Sequence, residues 1–289
     1  MSAQVGELTE LNAGAVEVAP PVQLSAEDLA ALREAVRTLE RSTLAGRLSG
    51  LAGRPIEILG QALPAAISQT VSRAAEAALK VAMRVALTTL PRGGRAGGRL
   101  LNTVLAATSG AVGGALGLVT LPVELPLSTT LMLRAIAEIA REEGEDLEDP
   151  EAALACLQVF ALGGRTPTDD LAQSGYFAVR SALAKSVSEA ARLVAQRGLM
   201  DEGAPALVRL AAQIGSRFGM VVSQKVAAGA VPIVGAIGGA AVNAAFMEHF
   251  QALGRAHFVV RRLERVYGRE PIRRAYEEIR TVEDSRAAA

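Results

Sequence analysis

Apolar residues recur every three or four positions along most of this chain, a spacing that predicts amphipathic α-helices. The first amphipathic segment covers 26–45 and follows Ser25, a residue type that caps helix N-termini. Further helices are predicted over 63–90, 127–143, 150–162, 175–197 and 204–228. Almost no segment alternates with the two-residue period of a strand. The sequence therefore predicts an all-α multi-helix bundle.

A glycine-rich apolar run interrupts this regular pattern. It covers 100–133 and carries a single acidic charge, Glu124. Near its C-terminal end, Pro122 and Pro126 bracket the centre of the segment LPVELP. Proline removes a backbone donor and disfavours helical geometry in the residue before it. We therefore expect a helix, a bent LPVELP connection, and a second helix from about residue 127.

A second apolar run, 226–247, carries no charge and is predicted to continue as one long helix from Pro232 to Tyr267. Small residues four positions apart form a flat stripe that lets another backbone come close. That close packing offsets the cost of about 1 kcal/mol that each interior glycine carries relative to alanine. We expect two glycine-rich apolar helical hairpins that pack closely. The glycine pairs at this spacing are Gly110–Gly114, Gly113–Gly117 and Gly235–Gly239.

Both runs are long enough to cross a bilayer, although glycine, threonine, serine and proline dilute their apolar character. Three arrangements are compatible with this pattern: a buried hairpin in a soluble bundle, shallow or reversible insertion into a membrane, and a spanning pair of helices. The hairpins would leave an apolar groove for a ligand or partner. Its predicted lining residues are Gly110, Gly113, Gly114, Gly117, Glu124, Arg134, Gly235, Gly239 and Asn243.

The order of segments suggests one folded unit that follows a tail. Residues 1–24 are interpreted as a flexible tail, and residues 25–289 as a single all-α domain. The segment 91–99 is a basic joint, and 142–151, which is rich in carboxylates, is expected to be a solvated acidic loop.

Charge and composition narrow the range of functions. Thirty basic and thirty acidic residues cancel, and aromatic residues make up 3% of the chain, so we expect no nucleic-acid binding. A single cysteine, Cys156, excludes an internal disulfide and fits a reducing compartment. The first residues do not form a secretory signal. These features predict a protein that stays in the cytoplasm or touches the cell membrane from that side. Together with the apolar runs, they lead us to expect a cytoplasmic protein, peripheral on the inner face of the cell membrane.

Glu124 is the most isolated charge and the first candidate for chemistry. In an apolar pocket its pKa would rise, as in general acids. Alternatively it would pair with Arg134 or another arginine, or lie at the water interface. His249 and His257 stand eight residues apart on one predicted helix, about 12 Å along its axis, too far to share one metal ion. Glu124 and the histidines are weak catalytic candidates, and we expect no metal and no cofactor.

Arginines flank both apolar runs and are candidates for contact with anionic lipid headgroups. The alternative is that these arginines lie on a solvent-exposed helix face and bind no ligand. The six candidates are Arg92, Arg95, Arg99, Arg261, Arg262 and Arg265.

Three stretches of the chain resemble the EcsC family of bacterial proteins. They are GGALGLVTLPVELP at 113–126, LMLRAIAEIAREEGEDLEDPE at 131–151, and the segment 231–268, which begins VPIVGAIGG and ends RRLERVYG. Together they lie within about 75–268. The positions that match the family pattern are Pro122, Glu124, Pro126, Arg134, Pro232, Gly235, Asn243, His257, Arg261 and Tyr267. At position 124 the family pattern more often has aspartate, so glutamate keeps the charge.

The EcsC family is named for a gene beside an ABC transporter. The resemblance therefore implies a fold and a link to membranes, and no particular activity. Together these observations favour a non-enzymatic membrane-associated protein that binds lipid or a membrane protein, such as a transporter, through its glycine-rich helices. Two alternatives stay open: a cytosolic hydrolase-like enzyme using Glu124 with His249 or His257, and a soluble homo-oligomeric assembly subunit whose glycine stripes form the interface.

Overall fold

The computed structural model describes residues 23–52, 65–90, 121–164, 175–197, 204–229 and 239–288. These ranges are almost entirely helical and contain no strand, which confirms the all-α prediction. The described helices are α1 Ala26–Arg41, α2 Leu44–Ala52, α3 Ala65–Thr89, α4 Leu121–Glu142, α5 Pro150–Leu162, α6 Gly175–Arg197, α7 Pro205–Gly229, α8 Gly239–Tyr267 and α9 Arg269–Ala288.

The central helix of the bundle is α5. Every residue from Ala152 to Leu162 is buried, and α5 packs against α3, α4, α6, α7 and α8. A helix that is apolar on all sides requires neighbours on all sides. Its start is fixed by Asp149, whose side chain accepts a hydrogen bond of 2.9 Å from the Glu151 backbone N–H.

Four phenylalanines join α5 to α7 and α8 in the core. The ring centroid of Phe160 lies 5.1 Å from that of Phe218 and 5.2 Å from that of Phe250. Phe246 completes the group, 5.2 Å from Phe250. Edge-to-face and tilted ring contacts at these separations stabilise a core beyond the burial of apolar area. These ring contacts position α8 against α5 and α7.

The prediction of one helix over 26–45 is wrong, because two helices occupy this region. Ser42 adopts an extended conformation after α1. The Thr43 hydroxyl then accepts a hydrogen bond of 3.0 Å from the Gly46 N–H, which caps the start of α2. The apolar period continues through the break, so periodicity alone did not reveal it.

The predicted bend at LPVELP is also wrong, since α4 runs unbroken through it. Pro122 stands in the first turn of α4, where backbone N–H groups have no acceptor within the helix. The N–H group that proline lacks therefore costs no helical hydrogen bond there. Pro126 removes one backbone hydrogen bond in the second turn. The packing of buried Leu121 and Leu125 against the core supports this helix start.

Two glycines of α7 lie where α7 packs against α3, an interface that sequence analysis did not single out. A Cβ placed on Gly215 would lie 3.6 Å from atoms of Glu76 and Leu79, and one on Gly219 would lie 3.7 Å from Ser72. The two glycines stand four residues apart, the spacing expected of a close helix pair. The predicted stripes of the two runs lie outside the described residues, except for Gly239, which begins α8.

Among the described helices, none is both long and apolar enough to cross a membrane.

Candidate functional site

Glu124 lies in a small polar cluster formed by three helix ends. It stands in the first turn of α4, Lys225 lies near the end of α7, and Asn243 lies near the start of α8. The Lys225 Nζ donates to Glu124 Oε1 at 2.8 Å, and the Asn243 Nδ2 donates to the same oxygen at 3.1 Å. We call these three residues the Glu124 cluster. Each of its helices adjoins a glycine-rich run in the sequence.

The Glu124 cluster is nearly closed to solvent. The side chains of Lys225 and Glu124 are 9% and 13% exposed, and Asn243 is buried. Burial lowers the pKa of Lys225, while Glu124 acts in the opposite direction. The ammonium also lies 5.0 Å from the centroid of the Phe246 ring, a favourable cation–π geometry. Glu124 therefore pairs with a lysine, a partner that was not among the alternatives weighed from the sequence.

The structure does not bring Glu124 to His257. Asn243 contacts Glu124, and His257 follows it by fourteen residues on α8, about 21 Å along the axis. His249 is fully buried, and neither of its ring nitrogens has a hydrogen-bond partner within the described ranges. Burial, with a smaller effect of Arg47, lowers the pKa of His249 to about 3. Within the described ranges neither histidine is hydrogen-bonded to Glu124, so the hydrolase alternative gains no support from this geometry.

His257 belongs to a second buried cluster, which sequence analysis missed. Its Nδ1 lies 3.0 Å from the Tyr176 hydroxyl, and Arg180 donates to that hydroxyl at 3.2 Å. Arg180 also forms a two-point ion pair with Glu264 at 2.7 and 2.9 Å. Burial and then the charges of Arg180 and Arg261 hold the pKa of His257 well below its ordinary value. The cluster ties α6 to α8.

The acidic loop after α4 is only partly solvated, because two of its carboxylates, Glu143 and Glu145, are bound to arginines of α8. Most of its other carboxylates are exposed, as predicted. Arg261 forms a two-point ion pair with Glu145 at 2.8 and 3.0 Å, and Arg265 contacts the same carboxylate. Arg262 donates to Glu143 at 2.9 Å and to Asp28 of α1 at 3.0 Å. We call these contacts the arginine network.

Burial, the largest single effect, favours the neutral form of Glu145, but the hydrogen bonds and charges of Arg261 and Arg265 together outweigh it and hold the pKa of Glu145 below its ordinary value. The pKa of Asp28 is lowered by hydrogen bonds from Tyr267 and Arg262. Opposite charges thus link α1, the acidic loop and α8, elements that are far apart in the sequence. The sequence showed these charged residues, but it gave no signal of which ones form ion pairs.

The remaining predicted site residues are dispersed. Arg134 is half-buried on α4, ten residues and about 15 Å along the axis from Glu124. The arginine network engages Arg261, Arg262 and Arg265 internally, so their contact with lipid stays a prediction. The predicted residues that lie outside the described ranges are Arg92, Arg95, Arg99, Gly110, Gly113, Gly114, Gly117 and Gly235.

The start of α4 presents an apolar pair to solvent. Val123 is 78% exposed and Leu127 is 50% exposed. They stand four residues apart, so they lie on one face of the helix. We call them the exposed pair. They lie within the first glycine-rich run, after the last of its glycines.

Metal and thiol chemistry find no support in the part of the chain that the structure describes. No group of three or more histidine, cysteine, aspartate or glutamate side chains there is placed to hold a metal ion. Cys156 is fully buried in α5, and burial raises the pKa of its thiol to about 12. A thiol with such a pKa is protonated at neutral pH and unreactive.

Comparison with known proteins identifies one family. The sequence pattern of the EcsC protein family matches residues 99–263. This match includes the start of α4, the acidic loop and most of α8. No curated protein and no solved structure gave a match.

Proposed function

This chain belongs to the EcsC protein family, and we propose that it is a non-enzymatic helical protein that binds the surface of a lipid membrane. The resemblance to that family implies a link to membranes. The observation that carries the proposal is the exposed pair, Val123 and Leu127, at the start of α4. The proposed contact is the exposed pair together with the uncharged sequence that precedes it.

The exposed pair continues an uncharged stretch of sequence. Residues 100–123 contain no charged side chain, and Val123 and Leu127 extend that apolar character onto the surface of the bundle. Contiguous exposed apolar surface marks a contact with lipid or another protein. Burying a valine or leucine side chain contributes about 1.5–3 kcal/mol. Two such side chains in the apolar boundary of a bilayer therefore give a substantial part of a reversible membrane affinity.

Basic residues precede the same stretch. Arg92, Arg95 and Arg99 come before residue 100. A basic side chain near an anionic lipid surface contributes about 1 kcal/mol, which salt screens. An apolar contact beside a basic segment is typical of proteins that lie on a membrane surface. These arginines are better lipid candidates than Arg261 and Arg262, whose guanidinium groups already bind carboxylates.

The Glu124 cluster supports this arrangement structurally. Glu124 is adjacent to Val123 in the first turn of α4, and its bonds to Lys225 and Asn243 turn the polar side of that turn inward. Val123 is left on the outer side. The cluster therefore fixes the direction in which the apolar pair points, a positioning role that needs no catalysis.

Flotation with liposomes tests the proposal. Wild-type protein is mixed with vesicles of anionic and of zwitterionic lipid, at low and at high salt, and floated on a density gradient. The test variant is Val123→Asp/Leu127→Asp. The matched control is Val266→Asp/Val282→Asp, which changes two valines of α8 and α9 that are 63% and 50% exposed.

The proposal predicts that the wild type floats and that part of this binding survives high salt. The test variant should lose that salt-resistant binding, and the control should keep it, since charges on exposed positions leave folding nearly unchanged. Circular dichroism of both variants checks the fold. Equal flotation of the two variants would show that the exposed pair does not contact lipid.

A further inference from the structure

The outer face of α4 continues past the exposed pair to a single arginine. Val123, Leu127, Thr130 and Arg134 follow one another at intervals of four, three and four residues, so they share one face of the helix. Exposure decreases along this face. Val123 is 78% and Leu127 is 50% exposed, whereas Thr130 and Arg134 are half-buried. The face is therefore most open at the start of α4, and Arg134 lies further back on the same side.

Arg134 has no counter-charge in the part of the chain that the structure describes. It forms no hydrogen bond and no ion pair there. Arg180 and Arg261, which are half-buried as well, bind Glu264 and Glu145 at 2.7 and 2.8 Å. Partial burial removes water from a guanidinium group, and a bound anion compensates for that loss. Arg134 is therefore suited to an anion that comes from outside the protein.

The spacing between the exposed pair and Arg134 fits the outer layer of a phospholipid membrane. Leu127 and Arg134 are seven residues apart, about 10 Å along the helix axis. The Cα–Cβ bonds of a helix lean towards its N-terminus, which brings the arginine head closer to the level of the leucine. Apolar side chains of surface-bound helices lie about 5–10 Å deep, at the boundary between headgroups and acyl chains. An exposed pair at that depth places the guanidinium group among the headgroup phosphates.

We propose that the Arg134 guanidinium group binds the phosphate of a phospholipid headgroup, while Val123 and Leu127 enter the boundary of the acyl chains. In this arrangement α4 is tilted, with its N-terminal end towards the membrane. The planar guanidinium group suits this ligand, because two of its N–H groups donate in parallel to two phosphate oxygens. The inference rests on the proposed membrane binding, and it adds the lipid group that is recognised and the orientation of α4.

Vesicle binding of two charge-matched variants tests the contact with phosphate. The test variant is Arg134→Gln, and the control is Arg274→Gln, which removes an exposed arginine of α9. Both variants lose one positive charge, so a difference between them reports a local contact. We expect Arg134→Gln to bind phosphatidylglycerol vesicles about fivefold more weakly than the wild type and Arg274→Gln to change by less than about twofold. Arg134→Lys should have an intermediate affinity, because lysine keeps the charge and loses the two-point geometry.

The tilt of α4 is measured by the depth of single tryptophans. Val123→Trp and Thr130→Trp place one tryptophan at each end of the same face, in a chain that contains none. Lipids brominated near the headgroup or deep in the acyl chain quench each tryptophan according to its depth. The proposal predicts that position 123 lies deeper than position 130. Equal depths would mean that α4 lies flat on the membrane and would overturn the proposed orientation.

This inference and the proposed function fail in different ways. If the wild type does not bind vesicles, both are wrong. If binding depends on Val123 and Leu127 but Arg134→Gln binds as well as Arg274→Gln, membrane binding stands and the phosphate contact is overturned. Circular dichroism and thermal unfolding check the fold of each variant. Should Arg134→Gln fail to fold, wild-type affinity in Arg134→Lys would contradict the two-point contact. Competition by inorganic phosphate at constant ionic strength would assign Arg134 to free phosphate and overturn the lipid assignment.

Discussion

At the scale of single residues, the two buried histidines of α8 make stability depend on pH. The folded-state pKa of His249 is about 3 and that of His257 is well below 6.5. Below pH 6.5 the unfolded chain therefore binds protons that the folded chain does not. The contribution of these histidines to stability should be constant above about that pH and fall by about 1.4 kcal/mol per pH unit for each histidine as the pH decreases. Urea unfolding at a series of pH values measures the slope.

His249→Leu separates the two contributions. Because the His249 ring has no hydrogen-bond partner in the described structure, an apolar side chain of similar size should cost little at neutral pH. The slope between pH 6.5 and about pH 5 should fall to half. An unchanged slope would mean that water reaches His249 in the folded protein.

The Glu124 cluster gives a second prediction at this scale. Among the described residues, Lys225→Met leaves the Glu124 carboxylate with one neutral donor, Asn243, in a nearly closed site. Removing one partner of a buried ion pair costs about 3–5 kcal/mol, and replacing both partners costs much less. We expect Lys225→Met to destabilise strongly and Glu124→Gln/Lys225→Met to recover most of the loss.

Urea unfolding of the two single variants and the double variant measures the coupling between Glu124 and Lys225. Additive losses would show that the carboxylate and the ammonium act independently. That outcome would remove the positioning role assigned to the cluster.

At the scale of elements, close backbone approach distinguishes two glycines. A methyl group at Gly164, just after α5, would overlap the Arg217 carbonyl of α7. At Gly215, within α7, the nearest atoms lie at 3.6 Å, an ordinary contact distance. Gly164→Ala should destabilise by about 1–3 kcal/mol through overpacking. Gly215→Ala should be neutral or stabilise by up to about 1 kcal/mol, because alanine favours helix.

Thermal unfolding of the two alanine variants compares them directly. A loss of stability in Gly215→Ala as large as that in Gly164→Ala would show that α3 and α7 lie closer than the structure places them.

Periodicity predicted most helices because most of them have one apolar face along their whole length, as α6 does. The central helix α5 is buried on all sides, and it was predicted with the correct limits, 150–162. Periodicity failed at Ser42, because the apolar period continues across a break between two helices. The proline rule failed at Pro126, because tertiary packing compensates for the loss of one hydrogen bond. Local signals cannot weigh such a loss against the burial of Leu125, which depends on distant helices.

At the scale of the whole molecule, long-range pairs decide what each candidate residue does. The sequence identified Glu124, Asn243 and Arg261 as residues of interest, but their partners lie about one hundred residues away. Lys225 and Glu145 carried no local signal that would match them to those residues. Sequence analysis therefore found several site residues and missed the pairing that gives them a positioning role.

The most direct test of membrane binding uses a single tryptophan at the proposed contact. The chain contains none, so Val123→Trp gives an unambiguous fluorescence signal, with Val266→Trp on α8 as the control. We predict that vesicles of anionic lipid shift the emission of Val123→Trp to the blue and that brominated lipid quenches it, while Val266→Trp stays unchanged. No shift at position 123, or equal shifts at both positions, would contradict the account.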